Sequence, residues 1–324
     1  MKDRILELLR QESGYLSGQE MSTLLGVSRA AVWKAVEALR KEGYTIDSAP
    51  NRGYHLDAPT GRLSAREIAA RLDGHPWAEL VQVLDSVDST NNLAKTLAAQ
   101  GAPVGTVIVA DSQTGGRGRM GRSFVSPPGV GVYLSVILRP EAPPEELMHL
   151  TCAVAEVLCD GIEVASGLRP GTNDLVSGGR KLCGILTELS LEAESGHVQY
   201  AVVGAGVNCD QTLSDFPPEI RDMAGSLSML TGKAVSRNTL AAEMIRALSR
   251  LDGDLVENRQ EWMDRYRRDC VTIGRAVSVS RAGETRWGQA VDVDDRGALL
   301  VDFGQGPEAV QSGEVSVRGM YGYV

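Results

Sequence analysis

Residues 113–124 read QTGGRGRMGRSF, with four glycines, three arginines and no acidic side chain. The apolar runs GTVIVAD (105–111) and GVYLSVIL (131–138) on either side predict strands. Glycines let backbone N–H groups approach an anion closely, and arginines supply permanently charged forks for carboxylate or phosphate. Two interpretations stay open, a mobile loop tip and a loop that binds a small anion. A Walker loop needs a G-K-[ST] sequence, and a dinucleotide-binding fingerprint needs a helix that begins directly after the glycines. This stretch has neither.

The length and composition of the chain limit the classes of protein to which it can belong. A chain of 324 residues predicts two or three domains, and 43% hydrophobic with 23% charged residues is typical of a soluble globular protein. The N-terminus has no signal-like apolar block and no run reaches a membrane span, so we expect a cytoplasmic protein with no membrane partner. The net charge of -9 argues against general affinity for nucleic acid but leaves room for one basic face.

The cysteines and histidines do not form a metal pattern. Five cysteines without a C-x-x-C pair predict reduced, mostly buried thiols, and four scattered histidines argue against a protein metal site. The cysteines are Cys152, Cys159, Cys183, Cys209 and Cys270.

The first segment, 1–60, has the pattern of a winged helix-turn-helix domain. Ser17 and Glu20 have capping-box spacing, Gly26 is a suitable helix end, and a second helix follows Ser28. The run YTIDSAPNRGYHL (44–56) predicts two strands with a turn, which is the wing. A DNA-binding face is favoured over a plain interaction domain, because helix spacing, basic residues and wing agree. Its predicted DNA contacts are Ser28, Arg29, Ala30, Trp33, Lys34 and Arg52.

The rest of the chain predicts two further domains, so the fold class is α+β multidomain. Residues 63–270 alternate strands and helices, as a sheet backed by helices requires, and residues 271–324 carry short strands that predict a small five-strand, SH3-like barrel.

Four motifs in a fixed order resemble the biotin–protein ligase family. They are DSTN (88–91), QTGGRGRMGR (113–122), GGRKLCGILTE (178–188) and VGAGVN (203–208). With the winged helix in front and the small barrel behind, the chain resembles the bifunctional ligases that also repress the biotin operon. The resemblance implies a central α/β ligase domain with a class II synthetase-like mixed sheet. It also implies that biotin and ATP form biotinyl-5'-AMP, with Mg²⁺ on the phosphates, before a carrier-protein lysine is biotinylated.

The resemblance assigns catalytic roles to three cations. Lys181 matches the lysine between the biotin carboxylate and the α-phosphate, and Arg117 and Arg119 match the arginines around the adenylate. As elementary chemistry, such cations suit a reaction that brings anionic oxygens together. The residues implied to bind biotin are Ser89, Thr90, Asn91, Gln113, Gly116, Arg117, Gly118, Arg119, Lys181, Gly184, Gly204 and Gly206. The hydroxyl and amide groups suit a ureido head, although helix capping is the structural alternative for Ser89.

The residues implied to bind ATP are Arg119, Arg122, Asn173, Asp174 and Asn208. For Arg122 a solvated loop charge is the alternative. The family carries Lys-Trp, one variable residue and Asn-Asp-Leu, whereas residues 168–175 read LRPGTNDL. The missing Lys-Trp pair before Thr172 indicates a short deletion, which would flip upstream side chains across the strand.

Several functions remain open on this basis. The first is a biotin ligase acting on a carrier domain, and the second is a biotin-responsive repressor that binds operator DNA as a ligand-enhanced homodimer, joined through an edge strand. A third is a biotin sensor with impaired catalysis, because of the missing pair. The fourth is a lipoate ligase, which the glycine-arginine loop and the DNA-binding segment disfavour.

Overall fold

The structure, a computed structural model, divides into two compact units, Met1–Arg62 and Leu63–Val324. It describes residues 1–11, 15–41, 46–49, 52–56, 62–172, 174–192, 194–281, 284–310 and 316–319.

The first unit is the predicted winged helix. Its elements are α1 (Lys2–Gln11), α2 (Gly18–Leu25), α3 (Arg29–Lys41), β1 (Ile46–Ala49) and β2 (Gly53–Leu56), and the two strands are antiparallel. The capping box is confirmed, since the Ser17 hydroxyl accepts from the Glu20 amide and the Glu20 carboxylate accepts from the Ser17 amide. Gly26 ends α2 with a φ of 66°, a left-handed conformation that glycine adopts without strain.

One face of α3 packs into the core of this unit. Val32, Val36 and Leu39 are fully buried against α1 and α2. Burial at these spacings leaves the opposite face of α3 to solvent, as an amphipathic helix requires.

The second unit is built on a six-stranded mixed sheet. Its strands are β3 (Val81–Leu84), β4 (Val107–Ala110), β5 (Gly131–Leu138), β6 (Leu175–Ser177), β7 (Arg180–Leu191) and β8 (Val198–Asn208). The spatial order is β3-β4-β5-β8-β7-β6, with β3 parallel to β4 and the other neighbours antiparallel. The predicted mixed sheet is therefore confirmed.

Helices cover both faces of this sheet. They are α4 (Ala65–Leu72), α5 (Thr90–Ala99), α6 (Leu150–Ser166), α7 (Leu227–Thr231), α8 (Arg237–Ser249), α9 (Leu251–Glu257) and α10 (Arg259–Asp269). The main core lies between the sheet and the layer that contains α4, α6, α8 and α10, whereas α5 packs on the other face. Among the described helices, none is long and apolar enough to cross a membrane.

The last part of the chain forms a five-stranded antiparallel sheet, as predicted. Its strands are β9 (Ala276–Arg281), β10 (Glu284–Val293), β11 (Leu299–Asp302), β12 (Pro307–Val310) and β13 (Ser316–Gly319), in the order β12-β11-β10-β9-β13. This sheet belongs to the second unit, and a separate domain at 271–324 stays a prediction, as do the domain limits 1–60 and 63–270.

A buried carboxylate lies at the junction of α6 and α10. Glu156 is fully buried, with one oxygen 3.3 Å from the Arg169 guanidinium and 3.6 Å from that of Arg265. Burial and the nearby Asp269 raise the pKa of Glu156 from 4.5 to about 7. The folded protein therefore binds this proton more tightly than the unfolded chain, so the contribution of Glu156 to stability declines as pH rises from about 4.5 to about 7.

Replacing Glu156 by glutamine is therefore expected to stabilise the protein more at pH 8 than at pH 5, by about 1–3 kcal/mol. Urea denaturation of wild type and variant at both pH values measures this difference. Glu163→Gln is the control, because Glu163 also pairs with Arg169 but its side chain is half exposed. A Glu156→Gln effect of equal size at the two pH values would contradict the prediction.

Candidate functional site

A pocket opens on the face of the central sheet that α5 covers. Its floor is made by Gly184 of β7 and by Gly204 and Gly206 of β8, which lie on that face because alternate residues of a strand share a side. A Cβ atom at Gly204 would lie 2.0 Å from Asn91 Oδ1, and one at Gly206 would lie 2.5 Å from the Phe124 ring. Side chains at these positions would collide with the residues that line the pocket.

The start of α5 supplies polar groups to the pocket. Gln113 Oε1 accepts from the Thr90 amide at 2.9 Å and from its hydroxyl at 3.1 Å. Gln113 Nε2 donates to Ser126 Oγ at 2.8 Å. Ser89 occupies the N-cap position, but within the described chain its hydroxyl makes no capping hydrogen bond. Its side chain lines the pocket, so capping does not account for it.

The glycine-arginine loop closes on itself as an irregular hairpin. The Phe124 amide donates to the Gly116 carbonyl at 2.9 Å and the Gly118 amide donates to the Arg122 carbonyl at 2.7 Å. Gly121 has a φ of 72°, and a Cβ at Gly116 would lie 2.3 Å from the Phe124 carbonyl oxygen. The loop therefore needs glycine at these positions for its own fold.

Three cationic side chains meet at the pocket. Lys181, Arg117 and Arg119 all line it. The Lys181 ammonium lies 2.7 Å from Asp174 Oδ1, and its backbone is held between Met223 and Gly225 by hydrogen bonds of 2.7 and 3.0 Å. The arrangement brings fixed positive charge beside uncharged hydrogen-bonding groups. It suits a ligand with a polar head and an anionic tail.

Most of the predicted biotin residues line one pocket. They are Ser89, Thr90, Asn91, Gln113, Arg117, Gly118, Arg119, Lys181, Gly184, Gly204 and Gly206. Gly116 lines an adjoining cavity, on the side of Gln113 and Phe124. Sequence reasoning missed four further lining residues, Phe124, Ile185, Leu186 and Ala205. Phe124, the aromatic residue closing the glycine-arginine stretch, carried the clearest signal.

The predicted ATP residues are more dispersed. Arg119 lines the pocket and Asp174 holds Lys181, whereas Asn173 lies outside the described residues. Asn208 is 5% exposed, and its amide donates to the Gly225 carbonyl at 2.9 Å and accepts from Gln211 at 3.2 Å. In this structure Asn208 supports the segment beside Lys181. Arg122 takes part in the loop hairpin through its backbone, and its role toward ATP stays a prediction.

The expected deletion before Thr172 is not needed. Counting back from Asn173-Asp174-Leu175 makes Thr172 the variable residue and puts Pro170 and Gly171 at the Lys and Trp positions. A Cβ at Gly171 would lie 2.2 Å from Val271 Cγ1, so this position has no room for a larger side chain. A substitution at these two positions would shift no upstream side chain to the other face, and the deletion stays a prediction.

All the predicted DNA contacts are exposed. They are Ser28, Arg29, Ala30, Trp33, Lys34 and Arg52. The Trp33 side chain is 54% exposed, which is unusual for the largest aromatic residue on a helix whose other face is buried. Arg52, on the wing, stacks its guanidinium 4.5 Å from the centre of the Tyr15 ring.

The cysteines do not take part in the pocket's chemistry. All five are unpaired and buried, as predicted. Burial raises the pKa of Cys183 to about 12, so the thiol next to Lys181 in the motif stays protonated at neutral pH. Among the described residues, no group of three or more His, Cys, Asp or Glu side chains is arranged to hold a metal ion.

Three family models match the chain. They are an HTH domain at residues 2–55, the biotin/lipoate A/B protein ligase family at 83–208 and the biotin protein ligase C-terminal domain at 272–318. Two curated relatives match over 98% of this chain. The bifunctional ligase/repressor BirA of Bacillus spizizenii is 34% identical over 98% of its own length, and BirA of Escherichia coli is 30% identical over 99%.

A solved structure has the same fold over most of the chain. The biotin protein ligase from Aquifex aeolicus, in complex with biotin and ATP, has a TM-score of 0.63 and 27% sequence identity. The match covers 74% of this chain and 98% of that one.

Proposed function

The chain belongs to the biotin protein ligase family, in its bifunctional ligase/repressor form, and from this premise we propose that it attaches biotin to a lysine of a biotin carboxyl carrier protein at the expense of ATP. The same chain represses transcription in response to biotin, through its winged helix.

One observation carries the ligase proposal. Residues from three separate parts of the chain, the start of α5, the glycine-arginine loop and β7, line one pocket with polar groups beside cations. The polar groups suit the ureido head of biotin. The cations Lys181, Arg117 and Arg119 suit its carboxylate and the phosphates of ATP.

The chemistry of the first step explains why cations are needed there. The biotin carboxylate attacks the α-phosphate of ATP, the new C–O–P linkage forms, and pyrophosphate leaves. Two anionic groups must approach, so Lys181 and the arginines lower the barrier by neutralising the charge that gathers between them. In the second step the amine of the acceptor lysine attacks the biotinyl carbonyl and AMP leaves.

Mg²⁺ enters the proposal through the nucleotide. Magnesium is commonly bound through one or two carboxylates plus substrate phosphates. Asp174, beside Lys181, is the carboxylate placed to contribute. When bound, the ion would supply charge neutralisation to the phosphates.

The two competing activities are less well supported. The central family model includes lipoate ligases, but the curated full-length relatives are named as ligase/repressors and the solved relative holds biotin. An inactive biotin sensor was suggested by the missing Lys-Trp pair. Lys181, Arg117 and Arg119 nevertheless remain together in the pocket, which favours an active ligase.

Intact-mass analysis of an unmodified biotin carrier domain tests the ligase. The domain is incubated with the protein, biotin, ATP and Mg²⁺, and we expect one added biotinyl group that depends on ATP. A ligase of known activity is the positive control. No mass gain beside a working control would overturn the proposal, and a gain with lipoate in preference to biotin would replace it by lipoate ligation.

For the repressor we propose a ligand-enhanced homodimer on operator DNA. Over the described residues, β7 pairs with β6 only as far as Cys183. From Gly184 to Leu191, β7 therefore has a described neighbouring strand, β8, on one side only. Leu189 and Leu191 on this stretch are 42% and 52% exposed. An open edge with exposed apolar side chains supports a dimer surface there. Operator DNA and ATP also imply a cytoplasmic location.

Substitution of Trp33 separates the two activities. Trp33→Ala and Arg29→Ala are each expected to weaken operator binding about tenfold or more, because both side chains are exposed on the face of α3 that a major groove would meet. Fluorescence anisotropy with operator DNA, in the presence of biotin and ATP, measures the loss. Biotin transfer to the carrier should stay at the wild-type rate. Loss of transfer in either variant would contradict independent roles for the two units.

A further inference from the structure

Glu188 does not line the pocket, but it contacts residues that do. It is on β7, opposite Val202 of β8, on the same face of the sheet as Gly184 and Leu186. Its side chain is 24% exposed. Its carboxylate meets residues from α5 and from the glycine-arginine loop, which are far apart in sequence.

Each oxygen of this carboxylate has a distinct partner. Oε1 accepts from the Lys95 ammonium at 2.7 Å and lies 3.7 Å from the Arg117 guanidinium, and Oε2 accepts from Asn91 Nδ2 at 2.9 Å. Burial acts to raise the pKa of Glu188, but the hydrogen bonds from Lys95 and Asn91 outweigh it and lower the pKa. The group is therefore an anion at neutral pH.

An anionic carboxylate accepts hydrogen bonds but cannot donate one, and this orients Asn91. The amide nitrogen of Asn91 must face Glu188, so Oδ1 faces Ser135, whose Oγ is 2.6 Å away. The Ser135 hydroxyl donates to that oxygen. Nδ2 also donates to the Leu186 carbonyl at 3.2 Å, so Glu188 and this carbonyl together set the orientation of the Asn91 amide.

The same carboxylate acts on Arg117. This side chain is 46% exposed and its guanidinium donates to Asn92 Oδ1 at 3.0 Å. Glu188 supplies a negative charge 3.7 Å from that guanidinium. A flexible, half-exposed arginine loses side-chain entropy when it binds a ligand, and a nearby carboxylate reduces that cost by holding it in place beforehand.

We propose that Glu188 is a positioning residue for biotin binding, which orients the Asn91 amide together with the Leu186 carbonyl and holds Arg117 at the pocket. The inference rests on the proposed function, because it takes biotin as the ligand. Glu188 acts through other residues, since it contacts Asn91 and Arg117 and does not line the pocket itself.

Glu188→Gln tests this role while keeping the size of the side chain. We expect the KM for biotin in carrier biotinylation to rise about tenfold, as for loss of a charged hydrogen-bond partner. The KM for ATP should stay within about twofold and the melting temperature within about 3 °C, whereas kcat should fall by less than the biotin KM rises, because Arg117 also serves the chemical step. Calorimetric titration with biotin alone should show the same rise in Kd.

Glu192→Gln is the matched control, because Glu192 is an exposed glutamate just beyond the end of β7. The inference is overturned by an unchanged biotin KM and Kd, or by a rise that the control shares. Biotin and ATP constants that rise together with a lowered melting temperature also overturn it, since that marks a general structural role. The two failures stay distinct, because a wild-type protein that binds biotin but transfers none contradicts ligation, whereas the titration still tests Glu188.

Discussion

Replacing Lys181 by glutamine is expected to reduce the rate of biotinyl-5'-AMP formation about 10²–10³-fold, the usual effect of removing one group that stabilises charge in a transition state. Lys181 is the cation that β7 presents at the pocket, and its backbone is fixed on both sides by hydrogen bonds to Met223 and Gly225. Glutamine cannot neutralise the carboxylate and the α-phosphate as they meet. Its Asp174 partner would also lose a counter-charge, which places a negative group near an anionic reaction.

Pyrophosphate release in the absence of a carrier measures this first step. Lys233→Gln is the control, because Lys233 is an exposed lysine in a loop of the same unit. The melting temperature should change little, since the Lys181 side chain is not fully buried. An adenylation rate within about threefold of wild type would show that the arginines supply the charge and that Lys181 is not catalytic.

Replacing Gly204 by alanine is expected to weaken biotin binding about 10–100-fold, the equivalent of about 1–3 kcal/mol of overpacking. The added Cβ would lie 2.0 Å from Asn91 Oδ1 and 2.8 Å from Asn91 Cγ. Asn91 cannot withdraw cheaply, because Ser135, Glu188 and the Leu186 carbonyl hold its amide. The methyl group would therefore displace a pocket residue or intrude on the ligand.

Biotin titration calorimetry measures the loss, and Gly115→Ala is the matched control. A Cβ at Gly115 would lie 3.4 Å from the Asp88 carbonyl oxygen, an ordinary van der Waals contact. We expect that variant to bind biotin almost as the wild type does. Equal losses in the two variants, or no loss in Gly204→Ala, would mean that the glycine floor is not where the ligand lies.

Local sequence determined the first unit and the binding loop. The Ser17–Glu20 capping box and Gly26 depend on neighbours within a few residues, so pattern alone predicted them and the structure confirms them. The glycine-arginine motif likewise requires glycine for local reasons. The Phe124 carbonyl lies close to Gly116 and Gly121 has a positive φ, and both conditions arise inside one hairpin. Most of the predicted biotin residues came from the resemblance of short motifs to the biotin–protein ligase family, and the fold brings them to one pocket.

The contacts between residues that are distant in sequence were decided by the tertiary structure alone. Glu188 reaches Asn91 and Lys95 across 97 and 93 positions of sequence, and only the pairing of β7 with β8 and the packing of α5 bring them into contact. Phe124 fills the space above Gly184 and Gly206 for the same reason. The structure alone also shows that Val271 occupies the space beside Gly171. Sequence patterns record each residue's chemistry and local backbone, whereas contacts between distant segments are set by strand register and packing, which no short window contains.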